Sequence, residues 1–158
     1  VEEARLAQVS PALRSRYDEV VAQGDGRLLW AHAAADVQNG HYDDRPLYWA
    51  RLQLRALLRE TGRDGEAAER AARGFDGSFR SPEPRVLLTG FDPFHLDRNV
   101  GQSNPSGLAA LALDDTLVAG ARIRTAILPV SYPAFDDGVV EQLLAPHFTA
   151  GLRVLLTV

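Results

Sequence analysis

Through the first part of this chain apolar residues recur at helical spacing; near residue 85 they give way to short unbroken runs separated by polar turns. Leu13, Tyr17, Val20 and Val21 share one face between Ser10-Pro11, a capping serine with a first-turn proline, and Gly24, which supplies a stop. That spacing predicts one helix over the span and a second from Arg27 to Gln38, with Leu29, Ala33 and Val37 in line. A third opens at Pro46, just after Asp44 and Arg45, and ends at Gly62. Along it Leu47, Ala50, Leu54 and Leu57 form one stripe, and Arg51, Arg55 and Arg59 form another. The arginine row reads as a solvated face rather than an anion-binding surface. A fourth segment, Gly65 to Arg73, is rich in alanine and charge and sets Glu66 four residues before Arg70 for an i,i+4 pair. Trp30 and Trp49 read as core or inter-domain packing, because aromatic rings bury large areas. Residues 1–73 are thus expected to be a helical extension, either a small bundle or an arm wrapped on the rest, and the Gly-, Ser- and Pro-rich residues 74–84 a linker.

From Arg85 the grammar changes. Val86 to Thr89 is a strand-length apolar run that stops at Gly90, read as a turn. Pro105 to Leu113 is a helix with Leu108, Leu111 and Ala112 inward, and Asp114, Asp115 and Gly120 make the return. Arg122 to Val130 is the next strand, Ile123, Thr125 and Ile127 alternating with Arg122, Arg124 and Ala126. A helix starting at Pro133 carries Phe135, Val139, Leu143 and Leu144 and ends at Pro146, and Arg153 to Val158 is a last strand. Strand, helix, strand, helix, strand describes an α/β fold, a partial three-layer α/β/α arrangement on a mostly parallel sheet, preceded by the all-helical region. The domain is taken as 85–158. Three strands with two crossovers do not close a layered domain, so the last strand is expected to be covered by further C-terminal polypeptide or by a second chain, and self-association is a further option.

Composition trims the possibilities. The 158 residues are 46% apolar and 24% charged, with a formal net charge of −4 shared between the two halves. That describes a globular chain without the basic face that nucleic acid requires. No apolar run approaches the ~20 residues of a membrane span. There is no lysine, methionine or cysteine, so neither disulfides nor a cysteine nucleophile lie within these residues. Asp92, His95 and Asp97 share a loop but lack a fourth partner, so no metal is expected, and Thr89-Gly90 is not a dinucleotide fingerprint. His147 near a helix end suits a dipole-capping role.

Two aromatics, Phe91 and Phe94, bracket Asp92-Pro93 just past the first strand. Large rings in a loop either plug the top of the core or line a pocket. Thr89-Gly90-Phe91-Asp92-Pro93-Phe94, followed by Asn104-Pro105-Ser106 and then Ile127-Leu128-Pro129-Val130, resembles the opening of the pyroglutamyl peptidase I (pyrrolidone-carboxylate peptidase) family. The resemblance covers residues 85 to 158. It implies a phosphorylase/hydrolase-like α/β fold and a cysteine hydrolase that removes N-terminal pyroglutamate from peptides without a cofactor. It also implies that Phe91 and Phe94 help form an apolar slot for the pyrrolidone ring, a flat uncharged lactam that aromatic walls suit. Gly90 and Asn104 would support that loop, although Asn104 reads equally well as a plain N-cap for the following helix. The family's catalytic Glu, Cys and His lie beyond the segment matching this chain, so no catalytic residue is carried over. Two departures stand out: His95-Leu96 replaces glycines, and Asp97 to Ser103 lengthens the loop. They leave two alternatives to catalysis, a relative that only binds and an unrelated α/β nucleoside- or nucleotide-binding domain.

Overall fold

The structure, a computed structural model, describes residues 3–75, 82–149 and 151–158. Residues 76–81 of the expected linker lie outside the described residues. A 3-10 turn, Glu3–Gln8, leads into helices α1 (Pro11–Arg14), α2 (Asp18–Val21), α3 (Gly26–Gln38), α4 (Arg45–Glu60) and α5 (Gly65–Ala71). The single helix expected between Ser10 and Gly24 is two short ones. Ser15 Oγ donates to the Pro11 carbonyl at 2.8 Å, ending the first. Tyr17 is then drawn inward, where its hydroxyl donates to Asp36 Oδ2 at 2.9 Å. Side-chain caps mark the next starts: Asp25 accepts from Arg27 N, and Asp64 accepts from the N–H groups of Glu66 and Ala67.

The second half contributes β1 (Arg85–Phe91), α6 (Pro105–Leu113), β2 (Leu117–Val118), β3 (Ala121–Leu128), α7 (Tyr132–Asp136), α8 (Val139–Leu144), a 3-10 turn Ala145–His147 and β4 (Leu152–Thr157). Sheet order is β2-β3-β1-β4, with β3 and β4 parallel to the central β1 and β2 antiparallel to β3. The fold is therefore α/β with a mostly parallel sheet. The β2 hairpin was not expected; positive φ angles at Asp115 and Ala119 flank it. The helix expected from Pro133 to Pro146 breaks at Gly138, which takes φ 72. His147, placed by the sequence at a helix end, sits in the 3-10 turn and meets Phe75 edge-on at 5.7 Å.

Alternate side chains of β3 feed opposite layers. Ile127 joins Leu29, Val37, Leu54 and Leu111 in one core, whereas Ala126 and Leu128 join Phe75, Val140 and Leu143 in another. The helical region thus shares its main core with the sheet. Trp30 reinforces the join by donating Nε1–H to buried Asp114 at 2.8 Å. Arg73 to Phe75 run against β3 where the short β2 leaves its edge uncovered: Ile127 N–H donates to the Arg73 carbonyl at 2.8 Å. The chain at Gly74 and Phe75 is therefore packed, not loose, because a Cβ at Gly74 would collide with the Thr125 carbonyl. Strand β4 is the far edge, with Val154 and Leu156 about half exposed.

Candidate binding site at the strand ends

Gly90 is not a turn. It lies inside β1, paired with Ile127, and its missing side chain lets helix α6 approach: a Cβ there would overlap the Ser106 carbonyl. Gly107 serves the same approach from the helix, since its Cβ would lie 2.7 Å from the Phe91 carbonyl. The close seating allows a relay of hydrogen bonds. Phe91 N–H donates to Ser106 Oγ at 3.1 Å, and Ser106 Oγ–H donates to Asn104 Oδ1 at 3.0 Å. Asn104 bonds in two directions. Its Oδ1 caps α6 by accepting from Ser106 N, and its Nδ2–H holds the loop by donating to the Asp92 carbonyl at 3.0 Å.

The two phenylalanines part company. Phe91 is half-buried as the last residue of β1 and stacks on Phe135 of α7, with ring centroids 6.3 Å apart. Phe94 points out, 38% exposed, and tilts against His95, whose φ of 57 turns the chain. Leu96 then dives into a small core with Val9, Tyr48, Trp49 and Leu52. Of residues 95–103, Leu96 and Val100 are thus the ones that pack beside Tyr48, Trp49 and Leu52 of α4.

Between the phenylalanines, Asp92 is buried among charges that the sequence did not assign to it. Arg51, expected on a solvated stripe, is 2% exposed and binds Asp92 Oδ1 through its NH2 group. Arg73 binds Asp92 Oδ2 at 2.7 Å, Glu69 Oε1 at 2.6 Å and the Ile127 carbonyl at 3.1 Å. Burial works against the Arg73 charge, but Asp92 and Glu69 hold its guanidinium above the ordinary arginine value. The i,i+4 ion pair here is Glu69–Arg73, its arginine two residues past α5, and the expected Glu66–Arg70 pair is not made among the described residues. The far end of the loop is gripped as well. Asp44 Oδ1 accepts from Ser103 Oγ at 2.6 Å and Oδ2 from Asn104 N–H at 2.9 Å, while Arg45 donates to the Gly101 carbonyl at 2.9 Å. Burial pushes the Asp44 carboxyl above its usual value, and these two hydrogen bonds offset part of that rise. A signal for this cluster did exist: an acid inside an apolar motif requires a cation once buried.

Beside the loop lies an open cleft of about 470 Å³. Its floor is formed by Asp92 and Pro93 after β1 and by Pro129, Val130 and Ser131 after β3. These are the carboxyl ends of parallel strands, where open α/β sheets bind ligands. Helices α4 and α5 supply one wall with Tyr48, Arg55, Glu69 and Arg70, and Ala134 and Leu143 contribute to the other. Neither Phe91 nor Phe94 lines the cleft, although Pro93 between them does. Gly90, Phe91 and Asn104 are thus brought together through Ser106, and Phe94 stands apart. Among the described residues no group of His, Asp or Glu is arranged to hold a metal. What the cleft offers is recognition: guanidinium donors, apolar prolines and a fixed loop.

Two family models match the chain in tandem, the PA0049 N-terminal domain over residues 3–74 and the PA0049 C-terminal domain over residues 85–157. The uncharacterised protein PA0049 of Pseudomonas aeruginosa is 36% identical over 82% of this chain and 30% of its own length. A pyrrolidone-carboxylate peptidase of Chromobacterium violaceum is 44% identical over 59 residues, 37% of this chain and 26% of that protein. The chain thus spans less than a third of the length of these curated relatives. No solved structure matches it.

Proposed function

We propose that this chain, which belongs to the PA0049 family, forms the recognition part of a cysteine omega-peptidase that removes N-terminal pyroglutamate from peptides. The observation that carries the reading is the Thr89–Phe94 motif at the carboxyl end of the central strand, beside an open cleft. The partial similarity to a pyrrolidone-carboxylate peptidase supports it. In this reading Phe91 and Phe94 grip the lactam ring, with Gly90 and Asn104 fixing the loop. The thiolate, its histidine and the acid that orients it come from polypeptide outside these residues, and no cofactor takes part. Thiolate attack on the pyroglutamyl carbonyl would give an acyl-enzyme, histidine protonating the leaving amine and then activating water.

The packing of Leu96 and the grip on Ser103 favour one second reading, a relative that binds the ring without cleaving it, because the loop is tied to the helical half more than a mobile flap would be. Release of a chromogenic amine from a pyroglutamyl conjugate by the intact protein, abolished by thiol alkylation, supports the peptidase. Ring binding without release supports the second reading. Phe94→Ala tests the ring slot itself. At 38% exposure the side chain contributes little to the core, so ligand capture should fall about tenfold or more, while stability changes by about 1 kcal/mol or less. Equal loss of both would return Phe94 to the role of a core plug.

A further inference from the structure

The cleft's charges divide into two classes. Arg73, Glu69 and Asp92 are consumed by one another and by Arg51. Arg55 of α4 and Arg70 of α5 also line the cleft, but both are exposed, and among the described residues neither side chain makes a hydrogen bond or ion pair. Glu66 is the one remaining cleft carboxylate outside the buried cluster, so two free cations face one free anion. We infer that Arg55 and Arg70 hold the free C-terminal carboxylate of a short ligand, so that the preferred substrate is a pyroglutamyl amino acid or pyroglutamyl dipeptide with its terminus unblocked. The inference rests on the pyroglutamyl reading for the ring and on the arginines for the acid.

Three features point the same way. A guanidinium presents a planar fork of N–H donors that matches a carboxylate two-for-two, and two such forks on adjacent helices make a donor site for one acid. The cleft volume of about 470 Å³ falls among small-ligand pockets. Arg55 and Arg70 line the same cleft as Asp92 and Pro93, so a ligand anchored at that loop shares one cavity with both arginines. A lactam N-terminus carries no ammonium for Glu66 to attract, which leaves the carboxylate as the ligand's only formal charge.

The test is calorimetric titration of the intact protein at low salt with four ligands: pyroglutamyl-alanine, its C-terminal amide, acetyl-alanine and inorganic phosphate. Pyroglutamyl-alanine should bind about tenfold or more tightly than its amide, the scale of a charge-assisted hydrogen bond. The difference should vanish in the Arg55→Gln/Arg70→Gln double variant, whose thermal midpoint should be unchanged because both side chains are exposed. If the amide binds equally well, or the preference survives in the variant, the carboxylate site is overturned while the ring reading stands. If acetyl-alanine matches pyroglutamyl-alanine and depends on the arginines, the carboxylate site stands and the ring reading falls. Phosphate binding as tightly as the acids would overturn the inference in favour of a general anion site, and no binding by any ligand would sink both readings.

Discussion

Replacing Arg51 by methionine isolates the buried charge cluster, because methionine keeps much of the side chain's length while removing its charge. In the folded protein Arg51 and Asp92 are 2% and 6% exposed at the side chain, and Arg73 is 11% exposed. Deleting Arg51 leaves Asp92 buried with Arg73 as its remaining cation, and Glu69 loses a positive neighbour 3.9 Å away. Breaking a buried pair from one side costs about 3–5 kcal/mol. The lower end applies here, since Arg73 stays and Arg51 Nε makes no hydrogen bond among the described residues. We therefore expect Arg51→Met to cost about 3 kcal/mol, a fall in melting temperature of roughly 6–12 °C for a chain of this size. Asp92→Asn should cost a similar amount by leaving two arginines to share Glu69. The double variant removes one charge of each sign and leaves Arg73–Glu69 intact, so its loss should fall short of the sum by about 2 kcal/mol. Urea titration followed by the fluorescence of buried Trp30 and Trp49, with an unchanged m-value, measures all three. A loss below about 1 kcal/mol for Arg51→Met, the range of an exposed ion pair, or strict additivity in the cycle, would refute the cluster as a stabilising unit.

Two further substitutions probe the supports of the same loop. Gly90→Ala places a methyl group against the Ser106 carbonyl, which belongs to a helix backbone and cannot rotate away; a cost of about 1–3 kcal/mol is expected by urea titration, and a neutral result would mean that α6 does not seat on β1 as described. Asp44→Asn keeps an acceptor for Asn104 N–H and gives Ser103 Oγ a donor in place of an acceptor. The Asp44 carboxyl is raised in the folded state, so it favours folding at pH values below its unfolded pKa, and that contribution is lost as pH rises through the folded value. Wild type minus variant stability should accordingly fall as pH increases from the ordinary aspartate range and flatten above the raised value; a difference that grows with pH would contradict the assignment.

Much of this architecture is legible in single-residue periodicity. Helices α3 and α4 follow from Leu29, Ala33 and Val37 and from Leu47, Ala50 and Leu54, all of which are buried. The parallel strands follow from runs too short for helices, and Asn104 before Pro105 marks the start of α6. The rest depended on partners distant in sequence. Arg51 reads as solvated because its partner Asp92 lies 41 residues away. The break between α1 and α2 depends on Tyr17 reaching Asp36. Gly90 reads as a turn because a lone glycine carries no mark distinguishing a positive φ from a close helix approach. At the candidate site the motif located the loop, but period and propensity could not reveal that helices α4 and α5 wall the cleft beside it.

The helical region and the loop departures have one physical explanation. A loop from Asp92 to Ser103 has many backbone torsions to fix, at about 1–2 kcal/mol per residue. Glycines would raise that cost, and the chain instead places Leu96 where it buries against Trp49 and Leu52. Arg51 and Arg73 hold the loop at Asp92, Arg45 at Gly101, and Asp44 at Ser103 and Asn104. Apart from Arg73, which lies two residues past α5, these anchors all come from α4 or the residue before it. Ordering is therefore met during folding, through burial and hydrogen bonds internal to the chain, and a ligand entering the cleft finds the loop already set. On this argument Leu96 and the long loop that follows it are the complement of α4, and a variant carrying a shorter glycine loop would strand Trp49 and Asp44 without their partners.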